Sequence, residues 1–192
     1  MVLILLSVAI LRLPSLFEPY WYGDEGIYLT LGMAVRKGLV LYRDIHDNKP
    51  PLIYWTAALA GTQFWLRFIL MAWHLLTIVV FYRLAKFLLE KKSWAPIIAV
   101  GLFSIMVILL EGNIANGEIF MILPVIGGML TLTRIENFRN HNSDLKPHLF
   151  LLTGFLFSLG FLFKVPAAFD FAAAAVFYVF FFKIGNCDSF LY

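Results

Sequence analysis

Acidic residues and a lysine stand close together in one polar stretch of a mostly apolar chain. The stretch Tyr22–Pro51 opens with the acidic pair Asp24-Glu25, and Lys49 stands near its end, directly before two prolines. A carboxylate serves as a general base or as a ligand for a divalent metal ion. A lysine ammonium binds phosphate as a point charge. Both kinds of chemistry are therefore candidates for this stretch.

Each of these residues also has an ordinary explanation. Acids such as Asp24 and Glu25 are favoured in the first turn of a helix by its dipole, by about 0.3–1 kcal/mol each. A lysine such as Lys49 extends readily from an apolar surface to the water at a membrane boundary. The local pattern leaves both interpretations open.

A second acid lies far along the chain, in the sequence EGNIANGEIF. Here Glu118 is accompanied by Glu111, Asn113 and Asn116, between two apolar blocks. Amides and acids next to a bilayer are costly unless they face protein or water. Glu118 is thus a candidate second acid of a site, with a helix-end cap as the alternative. Lys164, before Pro166, either closes a pocket or marks the membrane boundary, and the boundary is the favoured interpretation.

Composition defines the class of protein. Of the 192 residues, 61% are apolar and 14% are charged, whereas soluble domains have about 25% charged residues. The mean hydropathy is +0.84, so lipid must form part of the solvent. A net charge of +3 is explained by the basic flanks of membrane helices, and nucleic acid is not an expected partner. The one cysteine, Cys187, excludes an internal disulfide.

The hydrophobic pattern predicts an all-α polytopic membrane protein with about six transmembrane helices. A large first extracytoplasmic loop, residues 18–67, is expected to contain juxtamembrane helices. Within it, Glu25–Lys37 reads as an amphipathic helix that ends near Gly38. The predicted spans are 1–17, 68–89, 94–110, 119–133, 149–163 and 165–182.

The apolar segment 52–65 decides the topology, because it has fewer than the approximately 20 residues needed to span. If it does not span, eight basic residues outside the first loop fall on the side of the N-terminus, as expected for the cytoplasm. These are Arg83, Lys86, Lys91, Lys92, Arg134, Arg139, Lys146 and Lys183. Asp24, Glu25, Lys49 and Glu118 then share the extracytoplasmic side. The loop also keeps four bases on that side against the usual charge bias, and this departure favours an anionic ligand: Arg36, Lys37, Arg43 and Lys49.

The chain resembles the N-terminal part of a GT-C glycosyltransferase, in the branch of protein O-mannosyltransferases, aminoarabinose transferases and galacturonosyl transferases. The matching stretches are YGDEGIY, GLVLYRDIHDNKPPLIYW, LRF, ANGEIFMILP and GFLFKVPAAFD. Each is weak alone, but their order and spacing together are specific. The resemblance covers essentially the whole chain, which is expected to be a fragment of a longer enzyme.

The resemblance implies a sugar transfer with inversion from a polyprenyl-phosphate carrier to an extracytoplasmic acceptor. It implies that Asp24 acts as the base or orients the acceptor, and that Glu25 supports it or helps to bind metal. Lys49 and Arg43 would bind the donor phosphate, and Glu118 would be the second-loop acid. A divalent metal ion at Asp24 and Glu118 is a further expectation, although Asn48 stands where some members have a glutamate.

These expectations place the protein in the bilayer of a prokaryotic plasma membrane, with its site outside. The alternative is a non-enzymatic polytopic transporter or lipid-binding subunit. That class of protein carries its charged residues deep inside the spans rather than at one surface. A structure with Asp24, Lys49 and Glu118 scattered over separate faces would favour it.

Overall fold

The structure is a computed structural model that describes residues 1–19, 22–89, 94–140 and 147–184. The side chains of residues 136–140 and 181–184 are not described. Among the predicted cytoplasmic bases, Lys91, Lys92 and Lys146 thus lie outside the described residues, as do the side chains of Arg139 and Lys183. Cys187 lies outside them too.

The described residues form α-helices joined by turns, and the only strand-like pairing among them is a bridge between Leu41 and Ile45. The helices are α1 (Val2–Arg12), α2 (Gly23–Arg36), α3 (Leu52–Ala60), α4 (Gln63–Leu88), α5 (Ala95–Leu109), α6 (Gly117–Asn140), α7 (Pro147–Phe163) and α8 (Ala167–Ile184). A short 3-10 helix, Pro14–Leu16, follows α1. The predicted all-α class is confirmed for these residues.

Two helices are long and apolar enough to cross a bilayer, Gln63–Leu88 and Gly117–Ile135. Four shorter apolar helical stretches accompany them: Val2–Leu16, Ala95–Leu109, Pro147–Phe163 and Ala167–Phe180. Large apolar side chains on the shorter stretches are strongly exposed, such as Leu3, Leu151 and Phe169. This surface is what a membrane protein presents to lipid.

The polar loop predicted between the first two spans contains two helices that pack on each other. α2 covers Gly23–Arg36, close to the predicted amphipathic helix, and Gly38 follows it with φ +91°. α3 has nine residues, fewer than the approximately 20 that a span requires. Gly32 allows the close approach, because a Cβ there would lie 2.6 Å from the backbone nitrogen of Ala58.

α4 begins at Gln63, before the predicted start at residue 68. Two local features set this boundary. Gly61 ends α3 in the left-handed conformation, with φ +71°, and the hydroxyl of Thr62 accepts a hydrogen bond from the backbone N–H of Trp65. A left-handed glycine and a threonine N-cap are common helix boundary signals. The segment 52–65 is therefore divided between two helices.

The end of α1 is fixed to the turn that precedes α6. Arg12 is almost fully buried and donates from Nη2 to the carbonyl of Gly112 at 2.6 Å. Its Nη1 lies 2.8 Å from Nδ1 of His74 on α4. These contacts bring the first polar loop and the turn before Glu118 to the same end of the helix bundle.

Candidate active site

The acidic pair lies in the first turn of α2, where its two members point in different directions. Successive residues of an α-helix are separated by about 100° around the axis. The side chain of Asp24 is 33% exposed, whereas Glu25 is completely buried. Two adjacent acids of the sequence therefore have different surroundings.

Glu25 is held by Arg67 of α4, and both side chains are buried. Arg67 Nη2 lies 2.7 Å from Glu25 Oε2, and Nε donates to Oε1 at 2.9 Å. Gln63 Nε2 donates to Oε2 at 3.1 Å, and the N–H of Ala115 donates to Oε1 at 3.3 Å. Arg67 also donates to the carbonyl of Ser15 at 2.6 Å. Because its oxygens are occupied by these donors, Glu25 joins α2, α4 and the turn before α6.

Asp24 contacts Lys49 directly. Lys49 Nζ lies 2.6 Å from Asp24 Oδ2, and the hydroxyl of Tyr28 lies 3.2 Å from the same oxygen. The Lys49 ammonium also stands 4.7 Å from the centre of the Tyr28 ring, within cation–π range. The hydrogen bond from Lys49 holds the pKa of Asp24 below its usual value of 3.8. Asp24 is therefore a carboxylate at neutral pH.

Lys49 is positioned by the ordered loop before α3. Its carbonyl accepts a hydrogen bond from the Tyr42 hydroxyl at 2.6 Å. Farther along, the Tyr54 hydroxyl donates to Asp47 Oδ2 at 2.7 Å. With two prolines following, these bonds restrict the backbone that carries the lysine. Its side chain is only 16% exposed.

A second acid–lysine pair lies near the first. Glu118, in the first turn of α6, forms an ion pair with Lys164, which follows α7. Lys164 contributes to the low pKa of Asp24, and Glu118 contributes to the raised pKa of Tyr28, whose main cause is burial. Tyr28 also lies 3.5 Å from Asn116 Oδ1. The two pairs thus form one cluster, which we call the Asp24–Glu118 cluster: Asp24, Tyr28, Lys49, Asn116, Glu118 and Lys164.

Arg43 lies apart from this group. Its side chain is 72% exposed and bonds to the adjacent Asp44, with Nη2 2.9 Å from Oδ2. This pairing raises the pKa of Arg43 and lowers that of Asp44. The structure therefore brings together Asp24, Lys49 and Glu118, but places Arg43 on the exposed side of the loop and turns Glu25 inward.

Sequence reasoning did not identify three of the participants as site residues. Tyr28 is four residues after Asp24, so helical spacing places the two on one face. Arg67 lies within the matching stretch LRF, and a charged residue in an apolar helix is the sequence signal for it. For Lys164 the favoured interpretation is a boundary marker, with pocket closure as the alternative, and the structure places it against Glu118. Its partner is 46 residues distant in sequence, which local patterns do not reveal.

The cluster does not fit a divalent metal ion at Asp24 and Glu118. One oxygen of each carboxylate is bound to a lysine ammonium, which a cation would have to displace. Within the described residues, no group of three or more His, Cys, Asp or Glu side chains is arranged to hold a metal. One Glu118 oxygen, Oε2, is buried without a hydrogen-bond partner, but the ammonium groups of Lys49 and Lys164 beside these carboxylates would repel a divalent cation.

Comparison with known proteins identifies the family to which the chain belongs. The sequence model of the dolichyl-phosphate-mannose-protein mannosyltransferase family matches residues 48–190. The matched part includes Lys49, Arg67, Glu118 and Lys164, and begins after Asp24. No curated protein and no solved structure gives a significant match. Since the family match covers well over half of the chain, the protein belongs to the dolichyl-phosphate-mannose-protein mannosyltransferase family, within the GT-C glycosyltransferases.

Proposed function

We propose that the protein transfers a sugar, with inversion, from a polyprenyl-phosphate carrier to a hydroxyl group of an extracytoplasmic lipid, glycan or protein acceptor. The observation that carries this proposal is the Asp24–Glu118 cluster, in which an ionised carboxylate and two lysines meet at one end of an apolar helix bundle. A prenyl-linked donor needs a charged site at the membrane surface, because its tail stays in lipid while its phosphate and sugar reach water.

The membrane arrangement is part of the proposal. Helix α1 and helices α4–α8 are the six spans, and α2 and α3 lie along the outer surface. Helix α4 has 26 residues, or about 39 Å at 1.5 Å per residue, which exceeds the approximately 30 Å hydrocarbon core. Arg83, Lys86 and Arg134 lie at the end of the bundle away from Asp24. By the positive-inside rule, that end faces the cytoplasm of a prokaryotic cell.

In the proposed reaction, Asp24 is the general base. The acceptor hydroxyl gives its proton to the Asp24 carboxylate as its oxygen forms a bond to the anomeric carbon. The bond between that carbon and the phosphate oxygen breaks on the opposite side, and the polyprenyl phosphate leaves with one additional negative charge. Positioned general bases contribute about 10²–10⁴-fold to rate.

The lysines stabilise the charge that develops on the leaving phosphate. Before the donor binds, Lys49 is held by Asp24 at 2.6 Å. An arriving phosphate competes with Asp24 for the Lys49 ammonium. When Lys49 pairs with the phosphate instead, Asp24 loses the hydrogen bond that is the main cause of its low pKa. Asp24 then becomes a stronger base when the donor is present. Lys164, rather than the outward-facing Arg43, supplies the second positive charge near the phosphate.

Glu25 has a positioning role in this proposal. Donors from Arg67, Gln63 and Ala115 already surround its carboxylate, so it is poorly placed to accept a proton from substrate. It instead fixes the first turn of α2, on which Asp24 is carried.

The transporter alternative expected the polar residues to be spread over separate faces. Asp24 and Lys49 are in contact, and Glu118 acts electrostatically on the same Tyr28 that bonds to Asp24. This gathering supports an enzyme.

The test is sugar transfer in membranes from cells that produce the protein, with radiolabelled dolichyl-phosphate mannose and undecaprenyl-phosphate-linked sugars as donors. We expect Asp24→Asn and Lys49→Ala each to reduce the release of polyprenyl phosphate by about 100-fold or more. Asp44→Asn, which changes an exposed acid of the same loop, serves as the matched control and is expected to retain activity. Membrane insertion should be equal for all variants. Full activity of both Asp24→Asn and Lys49→Ala would refute the assignment.

A further inference from the structure

A pocket lined by basic residues lies at the end of the bundle opposite the Asp24–Glu118 cluster. It has a volume of about 450 Å³ and is lined by Arg83, Lys86, Phe87, Leu130 and Arg134. Arg67 and Arg83 are both on α4, sixteen residues apart, which corresponds to about 24 Å along the helix axis. The pocket therefore lies at the other boundary of the hydrocarbon core. We call it the basic pocket.

Helical spacing directs the three bases into the same space. On α4, Lys86 and Phe87 follow Arg83 by three and four residues, and on α6 Arg134 follows Leu130 by four. Residues at these spacings share one helix face. Because α4 packs against α6, the two faces meet at the pocket. Its wall thus combines three cations with two apolar side chains.

The three bases have no acidic partner among the described side chains. The ion pairs found there involve Arg43, Lys49, Arg67 and Lys164. Positive charges on neighbouring positions of one helix face repel each other, and here a third charge is added from α6. An anion in the pocket would reduce this repulsion, and the side chains of all three bases are exposed and accessible.

The wall composition indicates which kind of anion fits. Phe87 and Leu130 provide an apolar surface beside the charges, which a free inorganic ion does not use. A phospholipid brings both a phosphate and acyl chains, and basic pockets between membrane helices on the cytoplasmic side are suited to anionic headgroups. The volume also falls within the range of about 300–1,000 Å³ found for ligand pockets.

We propose that Arg83, Lys86 and Arg134 bind the phosphate headgroup of an anionic phospholipid from the bilayer leaflet opposite the candidate active site. The lipid occupies the space between α4 and α6, with its acyl chains against Phe87 and Leu130. This site rests on the proposed membrane arrangement, but it is separate from the proposed sugar transfer and does not depend on it.

The experiment measures lipid binding by the full chain, purified and delipidated in a neutral detergent. Dioleoylphosphatidylglycerol, dioleoylphosphatidylcholine and inorganic phosphate are added separately, and the thermal unfolding midpoint and the lipid retained in native mass spectrometry are recorded. We expect phosphatidylglycerol alone to raise the midpoint and to remain bound. Its affinity should fall at least tenfold in Arg83→Gln/Arg134→Gln.

The matched control is Arg36→Gln/Lys37→Gln, which removes the same number of positive charges from α2 and the residue after it. We expect its affinity for phosphatidylglycerol to stay within twofold of the unchanged chain. An equal loss in both double variants would show general charge attraction and overturn the proposal. An equal response to phosphatidylcholine would overturn it too, and so would an equal midpoint shift with inorganic phosphate.

Two further variants test the proposal in case Arg83→Gln/Arg134→Gln fails to fold. Arg83→Lys/Arg134→Lys keeps the charges and should retain binding within about threefold, whereas Lys86→Gln alone should weaken it by threefold or more. If Lys86→Gln binds phosphatidylglycerol as well as the unchanged chain, the three bases do not act as one site and the proposal fails. None of these experiments measures sugar transfer, so their outcomes are independent of the proposed transfer reaction.

Discussion

Glu25 and Arg67 form an ion pair that solvent hardly reaches, with Arg67 Nη2 2.7 Å from Glu25 Oε2 and exposures of 1% for Arg67 and 0% for Glu25. Moving two charges out of water is costly, and the cost is offset only when the geometry is good and the remaining donors and acceptors are bonded. Here Gln63, Ala115 and the carbonyl of Ser15 complete the arrangement. The pair therefore fixes the position of the first turn of α2.

Replacing Arg67 by methionine should destabilise the protein strongly. The change leaves the Glu25 carboxylate buried without its cation, and breaking a buried pair in this way costs about 3–5 kcal/mol. Unfolding of the purified chain in mixed micelles, monitored by circular dichroism, would give the change in free energy of unfolding.

Two further variants control for this effect. Arg43→Met removes the cation of an exposed pair and should leave the stability unchanged within error. Glu25→Gln/Arg67→Met removes both charges and should be more stable than Arg67→Met alone, since the uncompensated carboxylate is gone. If the double variant were less stable than the single one, the ion pair would not explain the effect.

The helical class and the gathering of polar residues were accessible from the sequence. The long apolar blocks predicted helices, and the first-turn acids with Gly38 predicted α2 within two residues at its start and one at its end. The order of the predicted spans puts Asp24, Lys49 and Glu118 on one side of the membrane, and the structure brings these residues into one cluster. These inferences used periodicity and charge distribution, which are properties of the chain itself.

The division of roles within the site was not accessible. Asp24 and Glu25 are adjacent acids with the same local signals, and only their tertiary partners distinguish them. The partner of Glu25 is 42 residues away on α4, and a single sequence contains no record of that contact. The early start of α4 is a similar case, because hydropathy alone did not distinguish Gly61-Thr62 as a boundary between two helices.

The pH dependence of stability should reveal the contact between Lys49 and Asp24. The pKa of Asp24 is lowered in the folded state, so its contribution to stability is fully present above the usual value of 3.8. It is lost as the pH falls through the lower folded value. Lys49→Gln should therefore destabilise the protein at pH 6 by about 1 kcal/mol, as for a partly exposed pair.

The corresponding measurement is the thermal unfolding midpoint of both proteins at pH 6 and at pH 3. The difference between them should shrink at the lower pH, as Asp24 takes up a proton. A difference that stays constant or grows toward pH 3 would contradict the assigned role of this contact. Arg43→Gln, which affects the exposed pair with Asp44, should show little difference at either pH.

Removing the hydroxyl of Tyr28 should lower activity as well as stability. Tyr28→Phe loses the hydrogen bond to Asp24 at 3.2 Å but keeps the ring beneath Lys49. The loss of one such bond costs about 0.5–1.5 kcal/mol, and a comparable loss in orienting Asp24 corresponds to roughly a tenfold lower transfer rate. Sugar transfer and unfolding would be measured in parallel, with Tyr82→Phe on α4 as the control that should leave transfer unchanged. Unchanged transfer in Tyr28→Phe would show that Asp24 does not need this bond.

Two glycines of α2 provide a matched test of how the helix is held against α3. A Cβ at Gly32 would lie 2.6 Å from the nitrogen of Ala58 and 2.8 Å from the carbonyl carbon of Ala57, whereas a Cβ at Gly26 would meet nothing within 4 Å. Gly32→Ala should therefore destabilise by about 1–3 kcal/mol through overpacking. Gly26→Ala should stabilise by about 0.5–1 kcal/mol, because alanine favours a helix interior.

The Gly32 substitution also tests the coupling of α2 to the site. Since Asp24 is carried on α2 and Lys49 on the loop that leads into α3, forcing the two helices apart should lengthen the 2.6 Å contact between them. We expect sugar transfer to fall at least tenfold in Gly32→Ala, measured below its unfolding temperature. If transfer remained normal while stability fell, the packing of α2 on α3 would serve the fold without setting the geometry of Asp24 and Lys49.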